Sequence, residues 1–207
     1  MVEVKHYETD VAIVGSGGAG IAAGIEARDA GARVISFEKS SEVGGAAIIS
    51  GGGCMMVGTP LQTENGIDDT PDKAFDDWVK WGGPSVDQVW ARYYIEHTLH
   101  DLYHWAEDLG AKWVDMKPQE GNSVKRWTRP ERSGLGLMTH LIDGYRNRGG
   151  EVVCNVEITR IKFVNDRVVG VEGIDIETGG VVDVASQTVV VSTGGFNSNL
   201  DMVLEVR

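Results

Sequence analysis

The sequence predicts an α/β fold with a parallel sheet at its centre, and three stretches carry that prediction. Val11-Ala12-Ile13-Val14 is a short continuous apolar run, the pattern of a strand buried on both faces, and it opens at once into the turn Gly15-Ser16-Gly17-Gly18-Ala19-Gly20. Arg33-Val34-Ile35-Ser36-Phe37 is a second such run, reached through a helix of small residues that Gly31 stops. Thr188-Val189-Val190-Val191-Ser192, near the far end of the chain, is a third, and it too delivers glycines, in Thr193-Gly194-Gly195.

In the first turn, Gly15 permits a tight bend, Gly17 leaves room for a pyrophosphate against the main chain, and Gly20 lets the following helix, residues 18–30, pack close to the strand. That helix aims its free N–H groups and the positive end of its dipole at the phosphates. Ala22, Ala23, Gly24 and Ala27 keep it thin where it crosses the sheet. The second strand ends at Glu38, where a dinucleotide fold places the carboxylate that accepts from the adenosine ribose hydroxyls, which disfavours a 2′-phosphate. With 28 glycines in 207 residues, a glycine pattern arises easily by chance. Strand, helix and acid in register separate a dinucleotide site from a glycine-rich βαβ unit that binds nothing.

From Asn65 the character becomes helical. Thr70 as cap, Pro71 at the first helical position and Asp72 in the first turn start one helix, with Ala74, Phe75, Trp78 and Trp81 at helical spacing and Gly82-Gly83-Pro84 to end it. A second begins near Ser85, with Val89, Trp90, Tyr93 and Tyr94 as its apolar face, and the pattern runs on through Leu99, Leu102, Trp105 and Leu109. Asp68, Asp69, Asp72, Asp76 and Asp77 lack the spacing of a calcium loop and read as caps and solvated faces. His97, His100 and His104 share a helical face, but no Cys or acid–His motif supports them, so no metal site is expected. Lys125, Arg126, Arg129 and Arg132 form a concentrated positive patch on a loop broken by Pro130 and Gly134. It is read in two ways, as arginine forks for a carboxylate substrate or as a surface loop paired with neighbouring acids.

Leu135, Leu137, Met138, Leu141, Ile142 and Tyr145 make an amphipathic helix ending at Gly149-Gly150. Strands over 151–153, 158–164, 168–176 and 181–184, with turn signals at Asn165-Asp166 and Thr178-Gly179-Gly180, then read as an antiparallel β-meander. A hydrophobic content of 42% and a charged content of 24% suit one globular domain over 1–207, with 65–150 as a helical insertion within it. The net charge of −12 argues against nucleic acid or an anionic membrane as partner. Apolar runs are too short to span a bilayer and the N-terminus is polar, so no membrane span and a cytoplasmic location are expected. Cys54 and Cys154 lack the spacing of a zinc or redox pair and read as two buried thiols.

The order DVAIVGSGGAG, FEKSSEVGG, SGGG and VVVSTGGF resembles the FAD-binding domain of the fumarate reductase, succinate dehydrogenase and 3-ketosteroid Δ1-dehydrogenase flavoprotein superfamily. The resemblance spans the chain and is strongest at 10–53 and 151–199. It implies a Rossmann-like FAD-binding domain with a parallel sheet, inserted helices and an antiparallel β-meander. By the same resemblance the turn Gly15, Ser16, Gly17, Gly18, Ala19 and Gly20 holds the pyrophosphate, Glu38 the ribose, Lys39 and Ser40 flank the adenosine, and backbone near Ile158 meets the adenine. Gly44, Gly45, Ala46 and Ala47 run toward the flavin, Ser50, Gly51 and Gly52 lie beneath its ring system, and Thr193, Gly194 and Gly195 return the chain to the cofactor.

Relatives often carry Asn, Ser or Thr where Ala46 and Ala47 stand, so only backbone contacts are expected there. Gly45 occupies the position of a histidine that tethers flavin in membrane-complex relatives, which implies non-covalent FAD. By the same resemblance, the stretch with Arg126, Arg129 and Arg132 is expected to approach the flavin's substrate side. The implied reaction is hydride transfer between flavin N5 and an activated C–C bond of a small-molecule substrate, a carboxylate or keto compound, with an unnamed electron donor or acceptor. The alternative is a non-catalytic dinucleotide-binding module or subunit. Family members continue past Arg207 into a capping domain and a C-terminal return segment, so the chain reads as a fragment, truncated product or half of a split enzyme, and no catalytic residue is carried over.

Overall fold

A computed structural model describes residues 3–197 and 199–206. Along the chain it forms β1 (Val4–Glu8), β2 (Val11–Val14), α1 (Gly18–Asp29), β3 (Val34–Phe37), α2 (Gly45–Ile49), β4 (Cys54–Met55), α3 (Pro60–Glu64), α4 (Pro71–Gly82) and α5 (Gln88–His97). A π-helical stretch, Thr98–His104, leads into α6 (Trp105–Asp108), followed by β5 (Trp113–Lys117), β6 (Trp127–Pro130) and α7 (Ser133–Asn147). The last third carries β7 (Glu151–Val153), β8 (Val156–Val164), β9 (Arg167–Asp175), β10 (Val181–Ala185), β11 (Thr188–Val191) and α8 (Leu200–Glu205). Two compact units divide the chain, one of residues up to Ala46 and from Leu141 onward, the other Ala47–His140.

In the first unit the three apolar runs come together. β11, β2, β3 and β7 form a parallel sheet in that order, with Val11 level with both Thr188 and Val34. A second sheet, β1-β10-β9-β8, holds the antiparallel meander of β8, β9 and β10, while β7, read as part of that meander, pairs parallel to β3 instead, and β1 is an addition. β1 joins its edge parallel to β10 although Val4–Glu8 is too polar to announce a strand. Asn165 and Asp166, at φ 50° and 60°, make the tight turn between β8 and β9. Between the two sheets lies a core of Ala12, Val14, Phe37, Val156, Val171, Val182 and Val184. α1 packs tightly against α7: a methyl group added at Gly24 would come within 2.7 Å of the Tyr145 ring. The Tyr145 hydroxyl lies 3.1 Å from the carbonyl of Glu151 and accepts from Ser36 at 3.2 Å.

The second unit is helical with a small antiparallel sheet, β4-β6-β5, that the sequence reading did not foresee. α4 begins as expected, with the Thr70 hydroxyl accepting from Lys73 N–H and Pro71 leading the helix. α5 starts later than expected, because Asp87 is the cap and accepts from the amides of Val89 and Trp90. Its expected apolar face is turned outward: Val89, Trp90 and Tyr93 are 79%, 67% and 52% exposed, while Ala91 and Ile95 are buried. The regular periodicity through Leu109 is broken by the π-turn, where the buried Thr98 hydroxyl donates to Ile95 O and accepts from Val57 N–H. Cys54 and Cys154 are free and half-buried rather than buried.

Candidate functional site

The glycine turn sits where β2 and β11 end side by side. Gly15, at φ 96°, has no room for a side chain, since an added methyl would lie 2.6 Å from Ser192 O. Gly20 is equally closed, because a methyl there would meet Gly15 O and the Ser192 hydroxyl. Ser192, which the sequence reading passed over, fastens the turn from the neighbouring strand by placing its hydroxyl 3.0 Å from Val14 O and 2.9 Å from Gly15 O. Gly17, Gly194 and Gly195 are different. A methyl at any of them meets nothing within 4 Å, so their backbone is bare toward open space. Gly17 is also the N-cap of α1, and no side chain caps the helix, which leaves its first amides free for an anion. Gly44 is tied to this turn through its N–H to Ser16 O at 3.1 Å, and a methyl at Gly45 would stand 3.2 Å from Gly17 Cα. Gly18, Ala19 and Ala46 belong to the same ends of α1 and α2.

Glu38 stands at the end of β3, half-buried. Its Oε2 accepts from both the amide and the hydroxyl of Ser16, each at 2.8 Å, and its Oε1 accepts from the Ser40 amide at 2.9 Å. Burial pushes this carboxyl up, but the bonds from Ser40, the Ser16 amide and hydroxyl, and the Lys39 amide outweigh it and hold the group below its ordinary value. Lys39 is paired with Glu157 at 2.7 Å on the surface. Ile158 pairs with Gly173 in mid-strand and packs on the core between the sheets. The backbone bonded beside Glu38 and Ser40 is instead Val153, Asn155 and Val156: Glu38 N–H donates to Val153 O, Val156 N–H to Glu38 O, and Asn155 N–H to Ser40 O.

In the second unit, the stretch after α2 is folded on itself. The Ser50 hydroxyl donates to Ala47 O at 2.8 Å and accepts from Gly52 N–H at 3.0 Å. Gly52, at φ 67°, and Gly134 face each other so closely that a side chain at either would strike backbone, whereas Gly51 opens on free space. The arginines are placed otherwise than expected. Arg126 is not on an open loop: its side chain is fully buried, bidentate to buried Asp69 at 2.7 and 2.8 Å and bonded to Asp77 at 2.6 Å. Asp69 and Asp77 are therefore ion-pair partners of a buried cation rather than solvated acids.

Burial raises the Asp77 carboxyl, but bonds from Ser123 and Arg126 bring it below its usual range. Arg129 lies on β6 with its Nη2 2.5 Å from Asp115, whose carboxyl it and Lys117 hold at about 2. Its Nε is buried without a hydrogen-bond partner among the described residues. Arg132 is exposed, with Arg132 and Ser133 both left-handed at φ 59° and 58°. His97 stacks on Tyr93 and His104 bonds Glu107, and no metal-holding group of His, Cys or acids exists among the described residues.

Residues 10–206 match the family model described as the FAD binding domain. The chain belongs to the FAD binding domain family. It is 34% identical over 207 residues to the NADH:fumarate oxidoreductase of Klebsiella pneumoniae, covering 98% of this chain and 22% of that one. Its fold is similar to the open conformation of a flavocytochrome c3 fumarate reductase, with a TM-score of 0.90 and 31% identity over 97% of this chain and 36% of that one. It is also similar to a 3-ketosteroid-Δ4-(5α)-dehydrogenase from Rhodococcus jostii RHA1, with a TM-score of 0.87 and 27% identity over 96% of this chain and 48% of that one. The chain thus spans less than half the length of each of these relatives.

FAD is the cofactor of this family, and the first unit fits it. Bare backbone at Gly17, Gly194 and Gly195, uncapped amides at the start of α1, and an ionised acceptor at Glu38 are what a pyrophosphate joined to a ribose requires. Among the described residues no helix is long and apolar enough to cross a membrane.

Proposed function

We propose that the chain is the FAD-binding part of a flavoprotein oxidoreductase that moves hydride between the flavin and a C–C bond activated by a carboxylate or carbonyl. The observation that carries this reading is the glycine cradle beside Glu38, in a chain whose relatives are named for reactions on fumarate and 3-ketosteroids. Bound FAD supplies the hydride chemistry; the protein supplies binding and orientation.

The turn Gly15–Gly20 and the amides of α1 take the pyrophosphate, Glu38 takes the adenosine ribose, and Lys39, Ser40 and the Asn155–Val156 backbone border the adenosine. Gly194 and Gly195 let the chain approach without side chains. Gly44, Gly45 and Ala46 offer backbone and small groups only, which supports non-covalent FAD. Of the three candidate arginines, Arg132 alone has no ion pair among the described residues, and it is the cation left to draw in a carboxylate.

The test has two stages. Flavin absorbance should survive gel filtration of the FAD-loaded chain, and acid precipitation should release all of it. The longest natural form of the protein, supplied with a dye as electron donor or acceptor, should then show saturable turnover on fumarate or a 3-ketosteroid. Retained flavin with no turnover on either would favour a dinucleotide-binding module instead.

A further inference from the structure

Ser16 lies in the middle of the phosphate turn, is fully buried, and spends both of its donors on a single carboxylate oxygen. A carboxylate oxygen has about two acceptor sites, so Oε2 of Glu38 is saturated by Ser16 alone. Oε1 accepts from the Ser40 amide at 2.9 Å, and the Lys39 amide adds to the bonds on this carboxylate. The main chain of the turn is held from the opposite side by Ser192, so Ser16 cannot drift without disturbing Gly15.

We propose that Ser16 is a positioning residue for the cofactor: by holding Oε2 with both its amide and its hydroxyl it fixes how the Glu38 carboxylate is turned toward a ribose hydroxyl, and it ties the ribose contact to the pyrophosphate turn. This rests on FAD as the ligand. Removing the hydroxyl frees a site on Oε2 and lets the carboxylate turn, while the Ser16 amide and the fold of the turn stay.

Other titratable groups near Glu38 are Cys154 in the β7–β8 connection, whose thiol is raised by burial and by the Glu38 charge, and the Lys39–Glu157 pair reaching from β8; Arg146 of α7 acts on Cys154 in the lowering sense. None of these loses a partner in Ser16→Ala, so a change in the acid limb of binding reports on Glu38.

The experiment measures FAD dissociation constants by flavin fluorescence from pH 4 to 8 for the wild-type chain, Ser16→Ala, Glu38→Gln and the double variant. Carboxyl NMR of Glu38 in the apo chain accompanies it. Ser16→Ala should weaken FAD on the order of tenfold, move the acid limb upward, and raise the midpoint of Glu38 in the apo titration. The double variant should bind no more weakly than Glu38→Gln alone, within about twofold, because Ser16 acts through Glu38. Losses that add in the double variant, or an unmoved Glu38 titration in Ser16→Ala, overturn the role of Ser16. A wild-type chain that takes up no FAD overturns the cofactor reading itself, a result distinct from FAD uptake that Ser16→Ala leaves unchanged.

Discussion

Replacing Glu38 by alanine removes the one carboxylate that Ser16 and Ser40 hold at the end of β3. A hydrogen bond to a charged group is worth about 1.5–3 kcal/mol, so FAD affinity should fall roughly tenfold to a hundredfold, and equilibrium dialysis showing unchanged affinity would remove Glu38 from the site. The pH dependence has a definite sign. The folded carboxyl lies below its ordinary value of about 4.3, so the stability it contributes is complete above that value and is lost as pH falls through the folded one. Acid melts of Glu38→Gln should lack that limb.

The arginines permit a sharper contrast. Arg126→Ala would strand Asp69 as a buried, unpaired charge, at a cost of about 3–5 kcal/mol, whereas exposed Arg132→Ala should stay within about 0.5 kcal/mol of wild type. Urea midpoints decide it. An Arg126→Ala chain as stable as wild type would mean that Asp69 is not held by that pair.

At the scale of elements, α1 depends on glycines used in opposite ways. Gly→Ala within a helix gains about 1 kcal/mol in propensity, but at Gly24 the new methyl must displace the buried, hydrogen-bonded ring of Tyr145, and overpacking of this kind costs about 1–3 kcal/mol. Gly24→Ala should therefore destabilise. Gly17→Ala has open space and an ordinary φ of −71°, so it should cost about 1 kcal/mol or less as a poorer cap yet obstruct the cofactor. A Gly17→Ala chain that binds FAD as tightly as wild type would show that the cradle lies elsewhere.

β2, α1 and β3 were legible because buried parallel strands are continuous apolar runs and because Gly15 and Gly20 between them have no room for a side chain. β1 was not, since its polar residues become a strand only through pairing with β10. β5 and β6 were hidden for a similar reason, as Arg129 reads as a loop charge until the strand pairing that brings it to Asp115 exists. Nor does any pattern of period 3.6 announce a π-turn, or reveal that Trp90 and Tyr93 face outward while Ala91 and Ile95 carry the packing. In the candidate site, the position of Glu38 and of the open glycines is visible in the sequence, whereas the Ser16–Glu38 bond exists only once β2 and β3 lie side by side, and the Ser192 contacts join strands from opposite ends of the chain.

For the whole molecule, an acidic chain with a net charge of −12 would bind the proposed dianionic pyrophosphate against its overall field, so the attraction would have to be local. Uncapped helix amides and bare glycine backbone provide that local field without any basic side chain. If this arrangement selects FAD, a thermal-shift titration of the purified chain with FAD and NAD at equal concentrations will show it, because stabilisation rises with ligand concentration over dissociation constant. FAD should raise the melting temperature well above any effect of NAD. Stabilisation by NAD equal to or greater than that by FAD would contradict the account.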